Sequence, residues 1–206
     1  MAKPPEEGRV WEWRAFGPIT ETLAARVRAY PIRLGVSDLR GDDIYLIAPH
    51  SDQNIKLRRY ETGCVLKLKL LFETRPGPFE LYNESAEFIY RFPVALDPLA
   101  YTARLLGVTL PEAALSNQTF GEAEFVKALA ESSPAVAETI VSKRRSQYAF
   151  ENGWLELADV TFATRRIQSV SVNSFDIEIV KEMLDRLTPG DDLEPMNYVE
   201  ACRRWG

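Results

Sequence analysis

The sequence predicts an α+β protein whose strands are mostly antiparallel. Three observations lead to this class. The chain has 206 residues, of which 46% are hydrophobic and 11% aromatic, a composition that supplies a core and excludes a wholly disordered chain. Short segments of alternating apolar and polar residues are separated by turn motifs such as Arg-Gly-Asp-Asp and Glu-Thr-Gly. Helical spacing of apolar residues appears mainly in the middle of the chain and near its end.

The alternating segments predict strands that are joined into successive hairpins. The predicted strands are Val10–Phe16, Ile32–Leu39, Ile44–Ala48, Asn54–Tyr60, Cys64–Glu73, Glu87–Phe92, Glu138–Phe150, Trp154–Thr164, Ser169–Val172 and Phe175–Val180. The Glu-Asn-Gly sequence before Trp154 favours a tight hairpin turn. Residues 1–8, which contain no apolar run, are expected to form a frayed tail.

Helices are predicted where capping residues bracket a helical spacing of apolar side chains. Thr20 can cap a helix that carries Leu23, Ala24, Val27 and Tyr30 on one face. The Asp97-Pro98 pair and Gly107 bracket a helix over Leu99–Leu106. The remaining predicted helices are Glu122–Glu131, Lys181–Leu187 and Tyr198–Arg204.

Composition excludes several functional classes. No stretch approaches the roughly 18 uncharged apolar residues of a membrane span, and the first residues lack an apolar leader, so we expect a cytoplasmic protein and no membrane partner. The net charge of −5 argues against a generally basic nucleic-acid binder, and DNA is not an expected partner. Cys64, Cys202 and the single His50 do not form a zinc motif. Any metal is therefore expected to be a hard cation held by carboxylates.

The polar faces of several predicted strands carry cations. Lys56 and Arg58 share one face of their strand, and Lys67 and Lys69 share one face of the next, since side chains alternate along a strand. The Glu61–Gly63 turn makes these strands neighbours and brings four cations together. Further cations that could extend the row are Arg91, Lys143 and Arg145. Like charges that face each other across strands are destabilising, so this face is either solvated or holds an anion.

Carboxylates stand in three other predicted strands: Glu12, Glu156, Asp159, Asp176 and Glu178. Asp176 and Glu178 would share a face of theirs. Glu156 and Asp159 are three residues apart and lie on opposite faces of a regular strand, unless a β-bulge brings them together. Each carboxylate alone is typical of a surface charge. Together with the cationic strands, they suggest a site for phosphates and a metal ion.

The sequence resembles the CYTH superfamily, the triphosphate tunnel metalloenzymes. The matching segments occur in the family's order: Val-Trp-Glu-Trp-Arg from position 10, Ile-Lys-Leu-Arg from 55, Leu-Lys-Leu-Lys from 66, Lys-Arg-Arg from 143, Glu-Leu-Ala-Asp from 156, Phe-Asp-Ile-Glu from 175 and Asn-Tyr-Val-Glu from 197. The family's first strand reads Glu-x-Glu-x-Lys, whereas this chain has Val10 and Arg14 at the outer two positions. An expected metal-binding carboxylate is therefore missing.

The resemblance implies a single domain over residues 1–206. Its fold would be an eight-stranded antiparallel β-barrel open as a tunnel, with a polar interior, helices outside and a helical insert at 93–137. Helices such as the one capped by Thr20 would cover Leu66, Leu68 and Leu70. The implied activity is divalent-metal-dependent hydrolysis of a triphosphate compound, either inorganic tripolyphosphate or an organic triphosphate. A non-catalytic polyphosphate- or nucleotide-binding module is the main alternative, and a protein-interaction domain is a third.

The resemblance also implies roles for individual residues. The phosphate-binding residues would be Arg14, Lys56, Arg58, Lys67, Lys69, Arg91, Lys143 and Arg145. The ligands of Mg²⁺ or Mn²⁺ would be Glu12, Glu156, Asp159, Asp176 and Glu178, with Glu12 and Glu178 acting in catalysis. The partner would be a small molecule with a triphosphate or polyphosphate group. The resemblance does not identify that molecule, and it leaves open whether the protein forms a homodimer.

Overall fold

The structure is a computed structural model that describes residues 8–34, 39–83 and 86–206. Its strands are β1 (Arg9–Gly17), β2 (Leu39–Ile47), β3 (Asn54–Tyr60), β4 (Gly63–Lys69), β5 (Leu71–Arg75), β6 (Phe79–Asn83), β7 (Ile89–Arg91), β8 (Val94–Ala95), β9 (Thr119–Phe120), β10 (Ala137–Phe150), β11 (Gly153–Thr161), β12 (Arg166–Ser174) and β13 (Glu194–Pro195). Its helices are α1 (Glu21–Arg28), α2 (Leu96–Leu106), α3 (Glu112–Leu115), α4 (Glu122–Ser132), α5 (Ile177–Leu187) and α6 (Tyr198–Trp205), with a 3-10 turn at Ala86–Phe88. The predicted α+β class is confirmed.

The large sheet is antiparallel and curls around an interior. Its strand order is β5-β6-β1-β12-β11-β10-β2-β3-β4-β7, and β13 pairs with β1. Leu70 is the single residue between β4, which pairs with β3, and β5, which pairs with β6. Leu70 N–H donates to Asn83 Oδ1 at 2.5 Å, and Asn83 N–H donates to the Leu70 carbonyl at 3.2 Å. With β4 and β5 as one bent strand, eight strands surround the interior, as the tunnel fold requires.

Two apolar cores cover the outer face of the sheet. Leu66 and Leu68 of β4 pack with Leu99 of α2 and Phe125 of α4. On the opposite side, the outer faces of β1, β11 and β12 pack with α1 and α5. The helix capped by Thr20 therefore lies on the second core, and the expectation that it covers Leu66 and Leu68 is wrong. The helices between residues 93 and 137 do so instead.

The last helix closes one end of the interior. The inward-facing side chains of Phe16, Tyr45 and Val160 form a third core with Tyr198 and Trp205 of α6. Asn197 caps this helix: its side chain accepts a hydrogen bond from the Glu200 N–H at 2.9 Å. The interior of the barrel is therefore apolar where α6 fills it and polar beyond.

The strand predicted over Phe175–Val180 is wrong, because these residues begin α5. Asp176 is the N-cap, and its side chain accepts a hydrogen bond from the Glu178 N–H at 2.9 Å. The buried side chains Ile177, Val180, Met183 and Leu187 follow the helical period. This long apolar stripe outweighs the local alternation that predicted a strand.

Other predicted elements fall partly outside the described residues. Within the predicted strand Ile32–Leu39, Ile32 forms an isolated bridge with Tyr148, and Leu39 starts β2. Residues 35–38 lie outside the described part, as do residues 1–7 of the predicted tail. Within the described ranges, no helix is long and apolar enough to span a membrane.

Candidate functional site

The inner faces of the strands form a cationic cavity of about 220 Å³. Alternation along β3 and β4 directs cations inwards and leucines outwards, and Lys56 lies directly opposite Lys67. Along β10, the same alternation gives Lys143 and Arg145 a common inward face. The cavity is lined by Glu12, Arg14, Arg33, Asn54, Lys56, Arg58, Lys67, Lys69, Lys143, Arg145, Gln147, Trp154, Glu156, Asn173 and Tyr198. Six of the predicted phosphate-binding residues on β3, β4 and β10 therefore share one cavity.

Asp43 is a buried carboxylate among these cations that sequence reasoning missed. It accepts hydrogen bonds from Arg58 Nε at 2.7 Å and Nη2 at 2.9 Å, and from Lys143 Nζ at 2.9 Å. Lys56 Nζ lies 3.7 Å from the same carboxylate. Asp43 belongs to the motif Arg-Gly-Asp-Asp, which we interpreted as a turn. The available signal was the alternation of Asp43 and Tyr45 with the apolar Ile44 within β2.

A second buried network surrounds Arg14. Its Nε donates to Glu12 Oε1 at 2.7 Å and its Nη2 to Glu156 Oε1 at 3.1 Å. The hydroxyl oxygens of Ser169 and Ser171 accept from Nη1 at 2.8 Å and from Nη2 at 3.1 Å. Four of the five guanidinium N–H groups therefore have acceptors within the protein. Arg14, which the resemblance assigns to phosphate binding, is thus held mainly by side chains of the protein itself.

The other oxygens of the two glutamates are also engaged. Glu12 Oε2 accepts from Lys69 Nζ, while Glu156 Oε2 accepts from Gln147 Nε2 at 2.9 Å and Arg145 Nη1 at 3.3 Å. Burial alone raises the pKa of Glu156, but Arg14 and Arg145 outweigh it and lower that pKa to about 2. Burial also acts to raise the pKa of Glu12, but Lys69 and Arg14 outweigh it and hold that pKa well below its usual range. Both side chains are therefore carboxylates at neutral pH.

The pKa values of two lysines of the cavity, Lys143 and Lys56, are also lowered. Burial lowers the pKa of Lys143 to about 8, although Asp43 acts against this shift. Burial and the neighbouring Lys143 hold the pKa of Lys56 well below its usual range. Both shifts have the same physical cause, since positive charge is held out of water and beside like charge. A bound anion would relieve this cost.

Polar atoms without a hydrogen-bond partner face the same cavity. Among the described residues, Asn54 Oδ1 and the Tyr198 hydroxyl are buried without a partner, and both residues line the cavity. At another part of the wall, the Arg33 guanidinium lies 4.4 Å from the ring centre of Trp154. Sequence reasoning missed Arg33, because its inward position depends on the pairing of residues 31–33 with β10.

A second cavity of about 180 Å³ adjoins the first and opens beside β2 and β3. It shares Arg58, Lys143 and Arg145 with the larger cavity and is also lined by Tyr60 and Asp43. These three cations therefore line both cavities.

Four other predicted site residues lie elsewhere. Asp176 and Glu178 begin α5, where Glu178 is exposed and paired with Lys181 at 2.7 Å. Asp159 lies on the outer face of a regular β11, within 3.4 Å of Gln168, because no bulge reverses its direction. Arg91 is exposed on the edge strand β7, opposite Val65. None of these four residues lines the cavity, so its geometry does not support the predicted roles of the three carboxylates in metal binding, of Glu178 in catalysis and of Arg91 in phosphate binding.

The donor set of the described cavity does not fit a divalent metal. Its carboxylates are Glu12 and Glu156, and Asp43 lines the adjoining cavity. Each of the three is already bonded to arginine or lysine. No group of three or more His, Cys, Asp or Glu side chains in the described ranges is arranged to hold a metal ion. The neighbouring strand β12 contributes Ser169, Ser171 and Asn173, which carry no charge. Of the five expected Mg²⁺ or Mn²⁺ ligands, Glu12 and Glu156 share the cavity, and both are bonded to Arg14.

The chain is similar to several proteins of known structure. A putative adenylate cyclase from Bacillus halodurans matches over 94% of this chain and 98% of its own, with 14% identity and a TM-score of 0.52. The PH1012 protein from Pyrococcus horikoshii matches over 92% and 98% (17% identity, TM-score 0.48). A putative adenylyl cyclase from Hippeastrum, described as having a dominant triphosphatase activity, matches over 85% and 84% (12% identity, TM-score 0.45).

No family model matches the chain, and no curated protein matches it. Of the three structures, only the Bacillus halodurans protein has a TM-score above 0.5, and at 14% identity its similarity concerns the fold alone. The chain thus has the curled antiparallel sheet of that putative cyclase, with a buried cationic cavity inside it.

Proposed function

We propose that this chain is a divergent CYTH-type tunnel protein that binds the triphosphate or polyphosphate group of a small molecule without a divalent metal. The observation that carries the proposal is the charge of the cavity. Eight cationic side chains line it: Arg14, Arg33, Lys56, Arg58, Lys67, Lys69, Lys143 and Arg145. Among the described residues, only two carboxylates, Glu12 and Glu156, line the same cavity, in a protein whose net charge is −5.

A chain of phosphates suits this excess of charge. Each phosphate oxygen accepts charge-assisted hydrogen bonds, and lysine and arginine are the side chains that supply them. Burying cations without counter-charge is costly, so a cavity of this kind is most stable with an anion inside. The unpartnered Tyr198 hydroxyl can donate one further hydrogen bond within the same cavity.

Binding is favoured over hydrolysis by the state of the carboxylates. Metal-assisted phosphoryl transfer needs a divalent ion that neutralises charge and an oriented water. Here Glu12 and Glu156 are bonded to Arg14, and Val10 stands on the same inner face where the family has a glutamate. Metal-dependent hydrolysis, which the sequence resemblance implies, is therefore an outcome of the test and not the proposal.

The test is calorimetric titration of tripolyphosphate into the protein in EDTA at low ionic strength. Lys67→Ala and Arg145→Ala should each weaken binding about tenfold or more, because a hydrogen bond to a charged group contributes about 1.5–3 kcal/mol. Lys127→Ala is the matched control, since it removes one exposed cation on α4, which packs on the outer face. Absence of binding, or equal affinity in all variants, would overturn the proposal.

Two further readouts separate binding from catalysis. Titrations near pH 8 in buffers of different ionisation enthalpy should show proton uptake, because an anion raises the lowered pKa of Lys143. Phosphate release followed by ³¹P NMR with Mg²⁺ or Mn²⁺ should stay at background. If phosphate release depended on the metal and Glu12→Gln abolished it, the chain would be a hydrolase and not a binding module.

A further inference from the structure

The surroundings of the Arg14 guanidinium are those of a bound cation. Its four hydrogen-bond acceptors are oxygens: Oε1 of Glu12, Oε1 of Glu156, and the hydroxyls of Ser169 and Ser171, at 2.7–3.1 Å. Two carboxylates and two neutral oxygens are the type of ligand set that hard divalent cations take in proteins. The Arg14 side chain is 7% exposed and lies 4.7 Å from the ring centre of Tyr198.

The three strands that supply these oxygens are adjacent. β12 lies between β1 and β11, and Ser171 is paired with Arg14 on one side and with Glu156 on the other. The cage is therefore set by strand register and would keep its oxygens in place if Arg14 were removed. The acceptors lie as far as 157 residues from Arg14 along the chain, so no sequence motif contains them all.

We propose that Arg14 takes the place of a divalent cation, bridging Glu12 and Glu156 so that the phosphate site needs no metal. The charge supports this assignment, since the two carboxylates face three cations: Arg14, Lys69 and Arg145. A divalent ion added to this set would meet like charge at every carboxylate oxygen. Removal of the guanidinium leaves two carboxylates and two hydroxyls around a space that one ion can enter.

The experiment is a titration with Mn²⁺ alone, followed by the loss of the electron paramagnetic resonance signal of free Mn²⁺. Wild-type protein should leave the signal unchanged. Arg14→Ala should remove about one equivalent, and Mn²⁺ should raise its melting temperature, because a ligand that binds only the folded state stabilises it. The double variant Arg14→Ala/Glu156→Gln is the matched control and should remove none, because it lacks the second carboxylate.

Each outcome decides the proposal. Uptake of Mn²⁺ by wild-type protein that is lost in Glu12→Gln would overturn it, whether or not any Arg14 variant folds. A folded Arg14→Ala protein that takes up no Mn²⁺ would also overturn it. If Arg14→Ala folds only with Mn²⁺, the proposal is supported, and if it stays unfolded with Mn²⁺, the proposal is contradicted. The inference rests on the proposed function only for its metal-free phosphate site, and no phosphate is present in this titration, so the two can fail separately.

Discussion

Replacing Asp43 with asparagine tests whether one buried carboxylate holds the cations around it together. Asp43 is 2% exposed and accepts three hydrogen bonds of 2.7–2.9 Å from Arg58 and Lys143. Asparagine has nearly the same volume but only one acceptor oxygen. Whichever way its amide is turned, an N–H group faces a donor, and the cations lose their shared counter-charge.

The expected loss is large for a substitution that keeps the size of the side chain. Removing one partner of a buried ion pair costs about 3–5 kcal/mol, which for a domain of this size lowers the melting temperature by roughly 10 °C. The cations hold the pKa of Asp43 well below its usual range, although burial acts the other way. Its contribution is therefore fully present above the unfolded value of about 3.9 and is lost as the pH falls through the folded value.

Urea unfolding at pH 7 measures this loss directly. Asp42→Asn is the matched control, since it is the adjacent, exposed residue of the same strand and should change the free energy of unfolding by less than about 0.5 kcal/mol. The difference between wild type and Asp43→Asn should narrow below about pH 4. If Asp43→Asn were within about 0.5 kcal/mol of wild type at pH 7, or if Asp42→Asn lost as much, the reasoning would be refuted.

Two further predictions concern Glu80 and Gly153. Burial raises the pKa of Glu80 to about 7, although Asn197 Nδ2 and the Tyr82 hydroxyl donate to it at 2.5 and 2.8 Å. The unfolded carboxyl releases its proton near pH 4.3, whereas the folded one keeps it up to about pH 7. The free energy of unfolding should therefore fall by up to about 3 kcal/mol as the pH rises from 4.3 to 7. Urea unfolding from pH 4 to 8 measures this fall, and the same dependence on pH in wild type and Glu80→Gln would contradict the prediction. At Gly153, an added Cβ would lie 2.2 Å from the Asn173 carbonyl oxygen and 2.4 Å from the Phe150 ring, so Gly153→Ala should cost about 1–3 kcal/mol. Gly190→Ala, with nothing within 4 Å of the new Cβ, is the control, and equal unfolding midpoints for the two variants would disprove the clash.

Much of the fold could be predicted because the relevant signals are local. The predicted strand Asn54–Tyr60 is confirmed at both bounds, and Thr20 caps α1 through a hydrogen bond from the Leu23 N–H at 3.2 Å. The Glu-Asn-Gly turn forms a two-residue hairpin, in which Asn152 has a φ of 63°. In each case the signal lies within a few residues of the structure that it specifies.

The errors arose where two local patterns competed or where pairing extended beyond the segment. The Phe-Asp-Ile-Glu segment from position 175 alternates like a strand, yet Asp176 caps a helix whose buried stripe extends to Leu187. Asp43 lies in a segment that resembles a turn, but pairing with β3 and β10 makes it part of a strand. These choices depend on neighbours that a single segment does not contain.

The sequence by itself determined which side chains share a face. A period of two along β3 and β4 is enough to place Lys56 and Lys67 on the polar side and the leucines on the other, and the same period gives Lys143 and Arg145 a common face of β10. Only the tertiary structure decided which charges meet. Lys143 reaches Asp43 across 100 residues, and Arg14 reaches Glu156 across 142. The physical reason is that charges pair over a few ångströms of space, and the order in which distant strands join a curled sheet sets those distances.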